Sequence, residues 1–220
     1  MRRIKLKDRV LPTYSRGEEC MNMVTHIVGG GLGLLIMAAC LLRAHTGAAR
    51  AASLIYGLSL IAVYCVSSIY HGLRPGMAKK VMQVIDHCTI YTLIAGTYTP
   101  ILVAAIAPAY PAIGWGLLVW QWGLAAVAIT LTAIDLHRYK VFSMFCYIGM
   151  GWSIIFFVPH TLAVLGSRGF GFLLAGGIAY TIGAILFGVG CKVRWMHSVF
   201  HIFVILGSVL QAVSVVFFVL

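Results

Sequence analysis

HSVFHIFVILGSVLQAVSVVFFV, residues 197–219, decides how this chain is read. Beyond its second histidine the stretch runs from Ile202 to Val219 without a charged side chain. About 20 mostly apolar residues are enough for a helix to cross a bilayer. Six further runs of this kind lie at 23–43, 51–71, 83–107, 112–134, 142–164 and 170–190. Lipid offers no hydrogen bonds to the backbone, so a spanning segment must be a helix or part of a closed barrel. The ten-residue alternation of a barrel strand is absent. The expectation is an all-α integral membrane protein: a seven-transmembrane helix bundle over 23–220, preceded by a basic cytoplasmic segment over 1–22.

Composition excludes the main alternatives. Of 220 residues, 61% are hydrophobic and 10% charged, with a mean hydropathy of +0.99. Soluble domains are nearer half apolar and a quarter charged. A soluble enzyme, a disordered chain and a nucleic-acid-binding domain all fit poorly. The net charge of +11, from 16 Lys and Arg against 5 Asp and Glu, therefore points to cytoplasmic loops and anionic lipid headgroups and not to nucleic acid. Six cysteines (Cys20, Cys40, Cys65, Cys88, Cys146 and Cys191) form no CxxC pair and read as small buried thiols. The N-terminus is basic, but no apolar core or cleavage site follows it as in a cleavable signal peptide.

Basic residues set the orientation. The N-terminal segment and the second, fourth and sixth loops hold thirteen Lys and Arg; the opposite side holds three, Arg43, Arg50 and Arg168. Positive charge stays inside, so the N-terminus is expected in the cytoplasm and the C-terminus outside. This is opposite to seven-helix G-protein-coupled receptors. The last run also lacks the lysine that a retinal Schiff base needs.

Ionisable groups within spans are expensive and mark candidate sites. With this orientation His71, Asp86, His197 and His201 fall at one depth, near the cytoplasmic face, on three helices. His197 and His201 are spaced i, i+4 and share a helix face. Two imidazoles so placed can ligate one ion at about 2.0–2.1 Å, and His71 would complete a three-histidine zinc site with an open position. Asp86 is expected to hold the metal's water and take its proton. Ser67, one turn from His71, would orient that ring or bind substrate. Asn22 and His26, also one turn apart, are placed as supports behind the ligands.

Blander readings stand beside these. An HxxxH pair is often two interfacial histidines. Asp86 could be a helix N-terminal charge paired with Lys79 or Lys80, and Ser67 could bond back to its own helix. Glu18 and Glu19 read as helix N-terminal charges, His87 as a packing residue, His137 as solvated, and His45 and His160 as outer-side residues. Asp135 reads as a local ion-pair partner of Arg138. Glycines such as Gly29, Gly30, Gly33, Gly176 and Gly177 read as close helix packing, Pro100 and Pro159 as kinks, and the five tryptophans as interfacial anchors.

Gly17-Glu18-Glu19 with Asn22 and Thr25-His26, Ser67-Ser68-Ile69-Tyr70-His71, Asp86-His87 followed by Ala95-Gly96-Thr97-Tyr98-Thr99-Pro100, and His197-Ser198-Val199-Phe200-His201 occur in that order. In this the chain resembles the hemolysin III family, the bacterial branch of the progestin and adipoQ receptor family. The resemblance implies seven helices, a cytoplasmic N-terminus, a location in the bacterial inner (plasma) membrane, and zinc held at His71, His197 and His201 with Asp86 beside its water. It also implies kinship with membrane hydrolases that include alkaline ceramidases.

Three functions follow as expectations. The first is a zinc-dependent hydrolase cleaving a lipid amide or ester, with membrane lipid as substrate and a link to lipid or energetic homeostasis. The second is a receptor-like sensor in which zinc only staples helices. The third is a cytolysin, which the absence of a regular polar stripe disfavours. Haem held between histidines is a further alternative. No feature identifies a protein partner.

Overall fold

A computed structural model describes residues 6–190 and 193–220. Arg2, Arg3, Lys5 and Lys192 of the basic count, and Cys191, lie outside the described residues. Among the described residues all regular structure is helical. The principal helices are α1 (Arg16–Arg43), α2 (Gly47–Gly72), α3 (Met77–Pro100), α4 (Pro111–Ile134), α5 (Lys140–Trp152), α6 (Val158–Gly190) and α7 (Met196–Ser214). A short 3-10 turn, Leu6–Asp8, precedes them and packs on α3.

The helix starts follow from local chemistry. Ser15 caps α1 in a capping box: its hydroxyl accepts the Glu18 N–H, and the Glu18 carboxylate accepts the Ser15 N–H at 2.9 Å. Helix α1 therefore begins at Arg16, a full two turns before the apolar run at Met23. Thr46 caps α2 in the simpler way, accepting from the Ala49 N–H. Pro100 ends regular α-helix in α3, and the chain continues as a wider π-helical stretch, Ile101–Ile106. This is the distortion expected where a ring removes a donor. Pro159 sits in the first turn of α6, after a 3-10 stretch Ser153–Phe157.

Six segments are long and apolar enough to cross a membrane: Arg16–Arg43, Gly47–Gly72, Met77–Ala109, Pro111–Ile134, Lys140–Gly188 and Met196–Val219. Seven such runs were expected, and the difference lies in one segment of 49 residues, Lys140–Gly188. The runs at 142–164 and 170–190 do not appear as separate helices. Helical structure continues through the few residues between them, interrupted only where Gly166 turns with φ 66° and ψ 174°. A positive φ is open to glycine without a Cβ clash, so the chain redirects at one residue and needs no loop.

Helices α1 and α2, α2 and α3, and α6 and α7 pack most extensively, and α7 returns against α1 to close the bundle. The main core holds Tyr56, Leu60, Tyr64, Ile101, Leu102, Ile106 and Val215; a smaller one joins Tyr91, Ala95, Ala125, Ala128, Cys146 and Met150. Large apolar side chains such as Leu35, Leu42, Val119, Phe145 and Phe156 point outward, as suits a solvent of acyl chains. Polar groups turn inward instead. Ser208 accepts from Tyr64 Oη at 2.6 Å and lies 2.6 Å from Tyr180 Oη. Gln121 Nε2 donates to Ser153 Oγ and the Met150 carbonyl. Such interhelical bonds average about 0.6 kcal/mol in membrane proteins.

Two tryptophans differ from the anchor reading. Trp122 Nε1 donates to Thr99 Oγ1 at 3.1 Å and Trp152 Nε1 to Thr181 Oγ1 at 2.9 Å, so both tie helices together. Trp115 and Trp120 are exposed as anchors should be. Small residues permit close approach elsewhere: a Cβ at Gly114 would lie 2.6 Å from Ala107 Cα, whereas one at Gly116 would meet nothing within 4 Å. Because the obstacle at Gly114 is backbone, it cannot rotate away. Gly114→Val is therefore expected to destabilise the protein by about 1–3 kcal/mol, read as a lower melting temperature in detergent, while Gly116→Ala leaves melting unchanged.

Candidate metal centre

Three histidines converge where α2 and α7 meet at the end of the bundle that carries the N-terminal segment. His71 comes from the last turn of α2, and His197 and His201 from the first two turns of α7. His197 Nε2 lies 3.3 Å from His71 Nε2 and 3.2 Å from His201 Nε2. All three rings are buried, and one ligand atom from each falls within 4.8 Å of the others, an arrangement that could hold a metal ion. Two ligands at about 2.0–2.1 Å from an ion, at the tetrahedral angle, stand about 3.3–3.4 Å apart. The measured separations match that edge.

Hydrogen bookkeeping supports the same use. His71 Nδ1 faces Glu19 Oε2 at 2.6 Å, and His201 Nδ1 faces the Asn22 carbonyl at 3.2 Å. Both partners are pure acceptors, so each ring carries its proton on Nδ1 and presents a lone pair at Nε2. His197 Nε2 can supply one proton at most, and it faces two such lone pairs. A cation at the shared point would satisfy all three nitrogens at once.

The supports come mainly from α1. Glu19, Asn22 and His26 lie at i, i+3 and i+7, one face of that helix. Asn22 Oδ1 accepts the Ser198 hydroxyl at 2.6 Å, and its Nδ2 is 3.5 Å from His71 Nδ1. Thr25 Oγ1 is 3.3 Å from His201 Nδ1. His26 stacks on His201 with centroids 3.6 Å apart and planes 9° from parallel, and neither of its nitrogens has a hydrogen-bond partner among the described residues. Tyr14 covers the centre from the N-terminal side, stacked on His197 at 5.0 Å.

Glu19 differs from its reading as a simple terminal charge. Its second oxygen takes the buried Lys79 ammonium at 2.6 Å, and Lys79 also donates to the carbonyls of His71 and Leu73. One carboxylate thus joins α1, α2 and α3 around a candidate ligand. Lys79 is accordingly not the partner of Asp86, and Lys80 bonds the Lys7 carbonyl. The signal was present in the helical spacing of Glu19 with Asn22 and His26. Glu18, by contrast, closes the α1 cap and accepts the Trp195 N–H at 2.8 Å.

Asp86 stands outside the three-histidine set. It neighbours Ser67, which is buried one turn before His71 on α2. Tyr70 is edge-on to His71 at 4.6 Å and within electrostatic reach of Tyr14, Asp86 and Glu19. His87 packs edge-on to Phe187 and bonds the Gln83 carbonyl. His137 and His45 are exposed, and His160 packs on Tyr110 away from the centre. Asp135 Oδ1 accepts the backbone N–H groups of His137 and Arg138, capping the turn between α4 and α5.

Comparison with known proteins agrees in extent with this set. A family model described as haemolysin-III related matches residues 14–212, from Tyr14 past His201. Hemolysin-3 of Bacillus cereus is 36% identical over 206 residues, covering 92% of each chain. The Hemolysin-3 homolog of Bacillus subtilis (strain 168) is 34% identical over 208 residues, 91% of this chain and 94% of that one. The human monocyte to macrophage differentiation factor is 27% identical over 158 residues, 68% of this chain and 63% of that one.

Removing the carboxylate behind a histidine ligand typically lowers metal affinity about 10–100-fold. Glu19→Gln is expected to do so here, measured by chelator competition. It also strands Lys79, at a cost of about 3–5 kcal/mol. Adding Lys79→Met to that variant should restore thermal stability without restoring the affinity.

Proposed function

Because the chain belongs to the haemolysin III-related family, we propose that it is a multi-pass protein of the bacterial inner membrane whose intramembrane zinc centre hydrolyses an amide or ester bond of a membrane lipid. The observation that carries the reading is the convergence of three buried histidines on one point, with Nδ1 of His71 and of His201 turned to acceptors outside it. His71, His197 and His201 would hold the ion. When bound, zinc supplies Lewis acidity, polarising a carbonyl and acidifying water.

The chain's own residues do the rest. The Asp86 carboxylate, with the Ser67 hydroxyl beside it, accepts the proton of the attacking water and returns it to the leaving amine or alcohol. Glu19 and the Asn22 carbonyl keep the His71 and His201 rings in the ligating tautomer. Tyr14 and Phe187, both packed on His197, restrict bulk water, which strengthens every charge interaction inside. With the centre near the inner headgroups, the reacting bond lies close to the lipid's polar–apolar boundary.

The reading includes seven crossings. Lys140–Gly188 is 49 residues long, about 70 Å as helix, against a hydrocarbon thickness of about 30 Å. It accommodates two passes with the turn at Gly166 between them. The thirteen-to-three split of basic residues puts the N-terminus and the histidine end in the cytoplasm. Leu6–Asp8 packs beside α3 and Trp195 bonds Glu18, so the N-terminal segment lies with the second and sixth connections, as this orientation requires. A second reading, zinc as a staple in a non-catalytic sensor, draws on the Glu19 network, which joins three helices behind one ligand.

Purified protein is expected to contain about one zinc per chain, by elemental analysis, and to lose most of it in His71→Ala and His197→Ala. Asp86→Asn should retain zinc and melting temperature yet abolish hydrolysis of lipid amides and esters presented in mixed micelles. Turnover surviving in Asp86→Asn would remove the hydrolase mechanism, and a phenotype that tracks stability alone favours the staple. For the crossings, Ser167→Cys should react with an impermeant thiol reagent added outside intact cells, and His137→Cys should not.

A further inference from the structure

A second polar feature lies away from the histidines, where the N-terminal segment crosses α3 and the end of α4. Leu6, Arg9, Val81, Val84, Ile85, Ala133 and Ile134 line a groove of about 230 Å³. Six of these are aliphatic. The exception is Arg9, which is 8% exposed, and its Nε and Nη1 have no hydrogen-bond partner among the described residues. A guanidinium carries five donors and stays charged, and a buried cation without a partner is costly. Asp135 follows Ile134 in sequence, but its Oδ1 is taken by two backbone N–H groups.

The walls of the groove are what acyl chains prefer. Val81, Ile85 and Ile134 are 39%, 40% and 43% exposed on the bundle's outer surface. The groove thus combines a cation at one rim with an aliphatic face continuing along α3 and α4 toward the hydrocarbon. We propose that it binds one anionic glycerophospholipid, with the phosphodiester on Arg9 and an acyl chain along Val81, Val84, Ile85 and Ile134. Charge complementarity selects the lipid: a guanidinium whose donors the protein leaves unsatisfied matches phosphate oxygens, and an aliphatic trough offers nothing to a soluble anion. The site rests on the reading that this end of the bundle is the cytoplasmic one, where anionic headgroups lie. It does not depend on zinc or on hydrolysis.

The test uses the full-length protein in mild detergent, with phosphatidylglycerol and phosphatidylcholine as probes in native mass spectrometry. One phosphatidylglycerol per chain should be retained in preference to phosphatidylcholine. Arg9→Gln should weaken that retention about tenfold, the loss of a charge-assisted pair. Arg74→Gln, an exposed basic residue at the same end, should leave it unchanged, and so should millimolar inorganic phosphate. Ile85→Trp fills the trough without touching the cation and should also reduce retention, which keeps the test decisive if Arg9→Gln does not fold. Equal losses in Arg9→Gln and Arg74→Gln would mean diffuse surface charge and overturn the site. So would full competition by phosphate, or retention unaffected in both Arg9→Gln and Ile85→Trp. Zinc content, measured on the same samples, should not change in any variant, so failure here is distinguishable from failure of the metal reading.

Discussion

Charged groups at the edge of a hydrocarbon slab must find partners inside the protein, and the Glu19–Lys79 pair shows how much structure that requirement organises. Lys79 is almost wholly buried at the start of α3. Its ammonium is satisfied by one carboxylate oxygen from α1 and two carbonyls from the end of α2. The other oxygen of the same carboxylate holds His71. Helix positions, ligand tautomer and charge balance are therefore coupled through one side chain. Moving α1 along its axis would break all three at once.

The rest of the bundle is held by weaker and more numerous means. Burying apolar surface gains little when the solvent is itself apolar, so association depends on close fit and on polar pairs turned inward. Ser208 serves two tyrosines from different helices, Gln121 bridges α4 to the end of α5, and Gly114 lets α4 approach Ala107. The outer surface then carries exposed Leu, Val and Phe. In water this surface would drive aggregation, and in lipid it is the expected exterior.

Much of this was legible along the chain. Hydropathy located the membrane-capable segments, since a run of about 20 apolar residues admits few other structures. The i, i+4 spacing of His197 and His201 and the helix-end position of His71 were enough to expect their convergence, because the depth of a residue in a membrane follows from its place in the span. Asn22 and His26 were found through their one-turn spacing. The crossing count was less legible. A run-length rule assumes a loop between helices, and Gly166 supplies a turn without one.

What the sequence by itself determined is which segments are helical, which end of the bundle gathers the basic charge, and which histidines can share a depth. These follow from length, charge and periodicity, which are properties of neighbours in the chain. Only the tertiary structure decided that Glu19 backs His71, that Lys79 belongs to that carboxylate, that Tyr14 folds over His197, and that Arg9 is buried in an aliphatic groove with two of its nitrogens unpartnered among the described residues. Each of those depends on how helices rotate about their axes and which faces meet. Packing across the whole bundle sets that rotation, and no local pattern encodes it.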